Sequence, residues 1–94
     1  MGFKQAKEKV LQALASGAYQ HEVRRNISEK NKLQTGEVTA SFVASLVQRC
    51  TGHDHSCKPH HQCAELEVHV LRKAGWYIKF YFVDPETVFI SVHQ

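Results

Sequence analysis

The 94-residue sequence has no long hydrophobic run and no strong excess of charge of either sign. A helix that spans a bilayer needs about 20 consecutive apolar residues. No segment reaches that length, and no hydrophobic signal segment opens the chain. We therefore expect a cytoplasmic protein that makes no membrane contacts. Twelve Lys and Arg residues against nine Asp and Glu residues give a net charge of +3, which favours an anionic partner without requiring one.

Cysteines, repeats and linkers are also sparse. The three cysteines are an odd number and form no C-x-x-C pair. Reduced thiols are therefore a simpler interpretation than a purely intrachain disulfide framework. A chain of this length can build one hydrophobic core but not two. Because it contains no internal repeat or linker, we predict that residues 1–94 form a single domain.

Two segments have the residue spacing of amphipathic helices. Residues 3–16 repeat apolar side chains on one face and are followed by Gly17, and glycine readily adopts the left-handed conformation that follows many helices. Thr35 is the predicted cap of a second helix, which covers residues 37–50 and carries a continuous apolar stripe.

Alternating apolar and polar residues predict β-strands at residues 64–72, 76–83 and 87–93. The short connections between these segments favour an antiparallel meander. Residues 19–25 also alternate, and they form either a fourth, edge strand or a solvated surface segment. The predicted fold class is α+β, with N-terminal helices packed on a three- to four-stranded antiparallel sheet.

The last two strands predict a hairpin with one apolar and one polar face, because alternate residues of a strand point to opposite sides. With residues 84–86 as the connection, Phe80 pairs with Ile90 on the apolar face, where we expect the second helix to pack. The polar face carries Tyr77, Lys79 and His93.

The preceding strand is expected to extend the polar face. A turn at residues 73–75 places His69 opposite Lys79 and Glu67 opposite Tyr81. An acid, an imidazole, a phenol and an amine in adjacent pairs are the groups that metal-free cleavage of RNA requires. In that reaction a base takes the 2′-hydroxyl proton, an acid protonates the leaving oxygen, and cations stabilise the phosphorane. The alternative is an ordinary solvent-facing sheet surface.

A second cluster lies between the second helix and the first of these strands, and its members are His53, His55, Cys57, His60, His61 and Cys63. Histidine and cysteine are preferred zinc ligands, but their spacing here matches no zinc finger. We expect no closed zinc site, and the alternative hypothesis for the chain is a small zinc-binding or non-catalytic RNA- or protein-binding domain that uses this segment. The segment is either a loop that supplies Lys58 and a histidine to a bound phosphate, or a polar loop without a role.

Several basic side chains are candidates for a rim that contacts an RNA backbone, although surface arginines often only interact with water. These residues are Arg24, Arg25, Arg49, Arg72 and Lys73.

The final hairpin resembles that of the MqsR-like toxins of bacterial type II toxin–antitoxin modules, which have a RelE-like ribonuclease fold. One strand carries the apolar-Tyr-apolar-Lys motif as Trp76-Tyr77-Ile78-Lys79, and the next ends in Ile90-Ser91-Val92-His93. A weaker match covers residues 10–25, where a helix ends in Ser-Gly and a basic strand follows. Only the last quarter of the chain matches closely.

The resemblance implies metal-independent cleavage of mRNA without a cofactor, and inhibition by a cognate antitoxin protein. By position, Tyr77 matches the family's active-site tyrosine, and His93 replaces its C-terminal lysine. Lys58 is the nearest candidate for a further lysine, and Glu65 or Glu67 lies near the position of the family's glutamine. The candidate catalytic residues are thus Tyr77, Lys79, His93, Lys58 and Glu67. The candidate substrate-binding residues are Arg24, Arg25, His69, Arg72 and Tyr81.

Overall fold

The computed structural model describes residues 1–23 and 30–94. The helices are α1 (Phe3–Ser16), α2 (Lys32–Thr35) and α3 (Ala40–Arg49), with a 3₁₀ turn at Gly52–Asp54. The strands are β1 (Tyr19–His21), β2 (His55–Pro59), β3 (Glu67–Lys73), β4 (Trp76–Val83) and β5 (Glu86–His93). Among the described residues, no helix is long and apolar enough to cross a membrane.

The five strands form one mixed sheet in the order β1-β5-β4-β3-β2. The predicted α+β class is confirmed, but the sheet has more strands than expected. β1 is the predicted edge strand, although it is short and runs parallel to β5. β2 lies in the segment that we interpreted as a loop, and it pairs antiparallel with β3.

The helices begin and end where their capping residues allow. α1 has the predicted bounds, and Gly17 adopts a left-handed conformation with φ of 78°. α3 begins later than predicted, because Gly36 (φ of 84°) ends the short helix α2 and does not open a longer one. Thr39 caps α3 instead of Thr35, and its side chain accepts a hydrogen bond of 3.0 Å from the backbone N–H of Phe42.

The hydrophobic core lies between the helices and one side of the sheet, here called the helix face. The sheet contributes Leu71, Ile78, Phe80, Phe89 and Val92 to this core. The helices contribute Val10, Leu14, Leu33, Val43, Leu46, Val47 and, just after α3, Cys50. Phe80 is fully buried, which confirms the prediction that α3 packs on its side of the hairpin.

The register of β3 against β4 differs by one residue from the prediction. A two-residue turn, Ala74-Gly75, joins the strands, and both of its residues have positive φ, as tight hairpin turns require. His69 therefore pairs with Phe80 instead of Lys79. This shift moves Glu67 and His69 to the helix face, so the prediction that they lie on the polar face is wrong.

The register of β4 against β5 follows the prediction only at its outer end. Tyr77 pairs with His93 and Lys79 with Ser91, but Phe80 pairs with Phe89 because Ile90 is an extra residue in a β-bulge. The predicted pairing of Phe80 with Ile90 is therefore wrong, and Ile90 lies on the side opposite the helices. We call this second side the cleft face. Its side chains include Lys58, Val68, Val70, Arg72, Tyr77, Lys79, Tyr81, Ile90, Ser91 and His93.

Candidate active site

A cleft of about 420 Å³ lies on the cleft face. Two lysines from different strands line it, Lys58 of β2 and Lys79 of β4. Val68 of β3 and Ile90 of β5 add apolar side chains to the lining. Two ammonium groups in one cleft favour an anion, and the carboxylate of Glu22 lines the same cleft. The structure thus brings Lys58 and Lys79 to one cleft, and the call that Lys58 or a loop histidine completes the site stays a prediction.

His60 forms one wall of this cleft and is almost completely buried. Its Nδ1 accepts a hydrogen bond of 3.1 Å from the backbone N–H of Gln62. The neutral ring therefore carries its proton on Nε2, which lies 3.6 Å from a carboxylate oxygen of Glu22. His60 is thus held by a backbone donor on one side and a carboxylate on the other.

Tyr81 lies beside the cleft, and its ring meets His60 edge-on, with ring centroids 5.2 Å apart. Burial, and secondarily the carboxylate of Glu22, raises the pKa of Tyr81. Its hydroxyl consequently stays protonated at neutral pH and remains a proton donor.

A ladder of three side chains crosses the outer end of the cleft face. Tyr77 of β4 stacks on His93 of β5, with ring centroids 5.2 Å apart and planes inclined by 23°. From β3, the guanidinium of Arg72 lies 5.3 Å from the centroid of the Tyr77 ring. The predicted pairing of Tyr77 with His93 is confirmed, whereas the substrate-binding role of Arg72 stays a prediction.

His93 has a defined tautomer in this ladder. Its Nδ1 lies 3.0 Å from the backbone carbonyl oxygen of Gln94. A carbonyl oxygen can only accept a hydrogen bond, so Nδ1 carries the proton of the neutral ring. Nε2 then keeps its lone pair, and His93 is able to accept a proton there.

Two of the predicted site residues lie away from this face. His69 is buried on the helix face, where it stacks on Phe80 and lies 3.0 Å from the ring of His55. Glu67 accepts a hydrogen bond of 3.3 Å from the thiol of Cys57, on the same side. Neither side chain reaches the cleft, because the tight turn after β3 shifts the register of the whole strand.

Two predicted residues have no described position, and one residue of the cleft was not predicted. Arg24 and Arg25 lie outside the described residues. Glu22 was not predicted as a site residue. It follows the edge strand β1, and its contact with His60 depends on the parallel pairing of β1 with β5. No local sequence signal indicates that pairing.

The histidine and cysteine cluster is divided between the two sides of the sheet. His55 and Cys57 alternate with Lys58 along β2 and contact residues of the helix face. His60 and His61 line the cleft. In residues 1–23 and 30–94, no three His, Cys, Asp or Glu side chains form a group that could hold a metal ion. The absence of a closed zinc site stays a prediction.

Comparison with protein-family models, with curated proteins and with solved structures finds no match to this chain. Any assignment of function therefore depends on the geometry of the cleft face and on the resemblance of the final hairpin.

Proposed function

We propose that this chain is a cytoplasmic endoribonuclease that cleaves mRNA by metal-independent transesterification. One observation carries the proposal. Along β4, Lys79 lies between Tyr81 on one side and the Tyr77–His93 pair on the other, and all of these side chains belong to the cleft face. The resemblance to MqsR-like toxins supports the same reaction.

This order of side chains suits an in-line displacement at phosphorus. The attacking and leaving oxygens lie on opposite sides of the phosphorus atom, so a base and an acid are needed on opposite sides of the cation that holds the phosphate. Alternate residues of a strand are about 7 Å apart. Tyr77 and Tyr81 are therefore at similar distances from Lys79 along β4, and His93 lies across from Tyr77 on β5. A phosphate bound at Lys79 then has Tyr81 towards one end of the strand and His93 towards the other.

The proposed reaction assigns one role to each group. Nε2 of His93 accepts the proton of the ribose 2′-hydroxyl, and the 2′ oxygen forms a bond to phosphorus. The bond from phosphorus to the 5′ oxygen breaks, and the hydroxyl of Tyr81 protonates that oxygen. Lys58 and Lys79 stabilise the negative charge of the non-bridging oxygens. The products are a 2′,3′-cyclic phosphate and a 5′-hydroxyl.

Single-turnover cleavage of a mixed-sequence RNA in the presence of a chelator tests this proposal. We expect His93→Ala, Tyr81→Phe and Lys79→Ala each to lower the rate by roughly 10²–10⁴-fold, as removal of an acid, a base or a charged group typically does. Lys4→Ala and His53→Ala are the matched controls, because both side chains are exposed and lie on α1 and on the 3₁₀ turn. Wild-type rates in all three site variants, or RNA binding without cleavage in the wild type, would overturn the assignment.

The resemblance to toxins also suggests a protein partner for this enzyme. We propose that a cognate antitoxin protein inhibits the activity, and this part of the proposal depends on the family resemblance. Expression of the wild-type chain in a bacterial host is expected to arrest growth, whereas His93→Ala and Tyr81→Phe do not. Growth arrest by variants that have lost cleavage would separate toxicity from the ribonuclease.

A further inference from the structure

The rings of His60 and His61 form a stacked pair at the wall of the cleft. Their centroids are 4.8 Å apart and their planes are inclined by only 16°. His60 is buried, whereas His61 is exposed, so the pair places one imidazole ring on the protein surface with its inner side packed on another ring. The core does not need this arrangement, since His61 is not part of it.

His60, the inner ring of the pair, is held in a defined position. Four contacts hold His60: a backbone hydrogen bond of 2.8 Å to the carbonyl oxygen of Leu66, the backbone donor of Gln62, the carboxylate of Glu22 and the edge of the Tyr81 ring. A ring that stacks on His60 therefore has a defined orientation before any ligand binds. Such preorganisation lowers the entropic cost of binding.

We propose that the exposed side of the His61 ring is a subsite for an unpaired nucleobase, next to the phosphate that the cleft lysines bind. The occupant is single-stranded RNA, and this identification depends on the proposed function. The position of His61 supports it, because Lys58 and Lys79, whose charges suit a phosphate backbone, line the same cleft together with Glu22. Its volume of about 420 Å³ lies within the usual range of small-ligand pockets.

Stacking on a flat side chain explains which ligands the cleft accepts. Every base has a π-face, so an aromatic platform accepts unpaired bases with little sequence preference. A base inside a duplex is already stacked between its neighbours and cannot cover His61. The subsite therefore selects single-stranded over double-stranded RNA.

Binding of an uncleavable RNA tests the subsite independently of catalysis. The probe is a fluorescent 2′-O-methylated hexanucleotide of mixed sequence, whose blocked 2′ oxygen cannot attack phosphorus. We expect His61→Ala to weaken binding of this probe by roughly 5- to 150-fold, the loss that follows removal of one base–aromatic stack. His61→Phe is expected to restore binding to nearly the wild-type affinity, and His53→Ala, which also removes an exposed histidine, is expected to leave it unchanged.

The alternative role for His61 is a charge contact, in which its protonated ring binds phosphate. In that case His61→Phe fails to restore binding, and the wild-type affinity falls as the pH rises above neutrality. Either result overturns the subsite, as does an unchanged affinity in His61→Ala or equal affinity for the duplex form of the probe. If His61→Phe restores binding while the wild type cleaves no RNA, the subsite stands and the ribonuclease proposal fails.

Discussion

The rings of Tyr77 and His93 lie nearly parallel across β4 and β5, with centroids 5.2 Å apart. This contact fixes the plane of the His93 ring, and the carbonyl oxygen of Gln94 fixes its tautomer. Together they direct the lone pair of Nε2 away from the Gln94 carbonyl. We infer that Tyr77 positions His93 through its ring and that its hydroxyl is not needed for this purpose.

Substitutions at Tyr77 distinguish the ring from the hydroxyl. Tyr77→Phe keeps the stacked ring, so we expect it to retain most of the single-turnover cleavage rate. Tyr77→Ala removes the stack and is expected to approach the rate of His93→Ala, which lacks the base itself, a loss of roughly 10²–10⁴-fold. If Tyr77→Phe is as inactive as Tyr77→Ala, the hydroxyl takes part in the reaction and the positioning role is wrong.

Phe80 tests which side of the hairpin is buried. Its ring is fully buried between α3 and the sheet and contacts Phe89 and Phe82. We expect Phe80→Ala to lower the free energy of unfolding by about 3–5 kcal/mol, because the substitution leaves a cavity in the core. Phe42→Ala is the control, since Phe42 is 37% exposed and its loss should cost less. Equal losses in the two variants, measured by urea unfolding, would contradict the packing described here.

The hairpin also shows which structural features can be predicted from sequence patterns. The bounds of α1 and the presence of β3, β4 and β5 follow from periodicity and from turn residues. The registers do not, because each is shifted by one residue: the turn after β3 has two residues, Ala74-Gly75, instead of three, and Ile90 is an extra residue in β5. On β3, apolar residues occupy both faces of the strand, so alternation did not indicate the side on which His69 lies.

The edge strands were harder to predict, since their pairing partners are distant in sequence. β2 consists of His55–Pro59, and its composition is typical of a loop. Pro59 has no N–H to donate to a neighbouring strand, and such a residue is tolerated at the end of an edge strand. Cys57 and Lys58 are consecutive residues of β2, so their side chains lie on opposite faces of the sheet. This alternation, and not the density of histidines, decides which residues reach the cleft.

The contact between His55 and the buried His69 predicts how stability depends on pH. The ring nitrogens Nε2 of His55 and Nδ1 of His69 are 3.0 Å apart, so one donates and the other accepts. Burial lowers the pKa of both rings, and for His69 the charge of His55 lowers it further, while the carboxylate of Glu67 acts in the opposite direction. The folded state therefore binds a proton less readily than the unfolded state does.

The sign of the effect follows from this difference. Above the unfolded pKa of about 6.5 both states hold neutral imidazoles, and below it the unfolded state takes up protons first. Stability is thus expected to fall as the pH drops below about 6.5. His21, whose pKa burial also lowers, contributes in the same direction.

Urea unfolding at a series of pH values should show a shallower decline of the free energy of unfolding for His69→Phe than for the wild type. His53→Ala should retain the full decline, and identical profiles for His69→Phe and the wild type would exclude the pair as its source.

The two cleft lysines predict how RNA binding responds to salt. Each lysine that contacts a phosphate of single-stranded RNA releases condensed counterions, which contributes about 0.7 to the slope of log affinity against log salt concentration. Because Lys58 and Lys79 line the same cleft, Lys58→Ala and Lys79→Ala are each expected to reduce the magnitude of the slope by about that amount. Lys4→Ala removes the same charge from the exposed side of α1 and should leave the slope unchanged.

The affinity of the 2′-O-methylated hexanucleotide, measured over a range of salt concentrations, provides the test. Equal reductions in all three variants would mean that RNA senses the net charge of the chain, and the cleft would then not be its binding site.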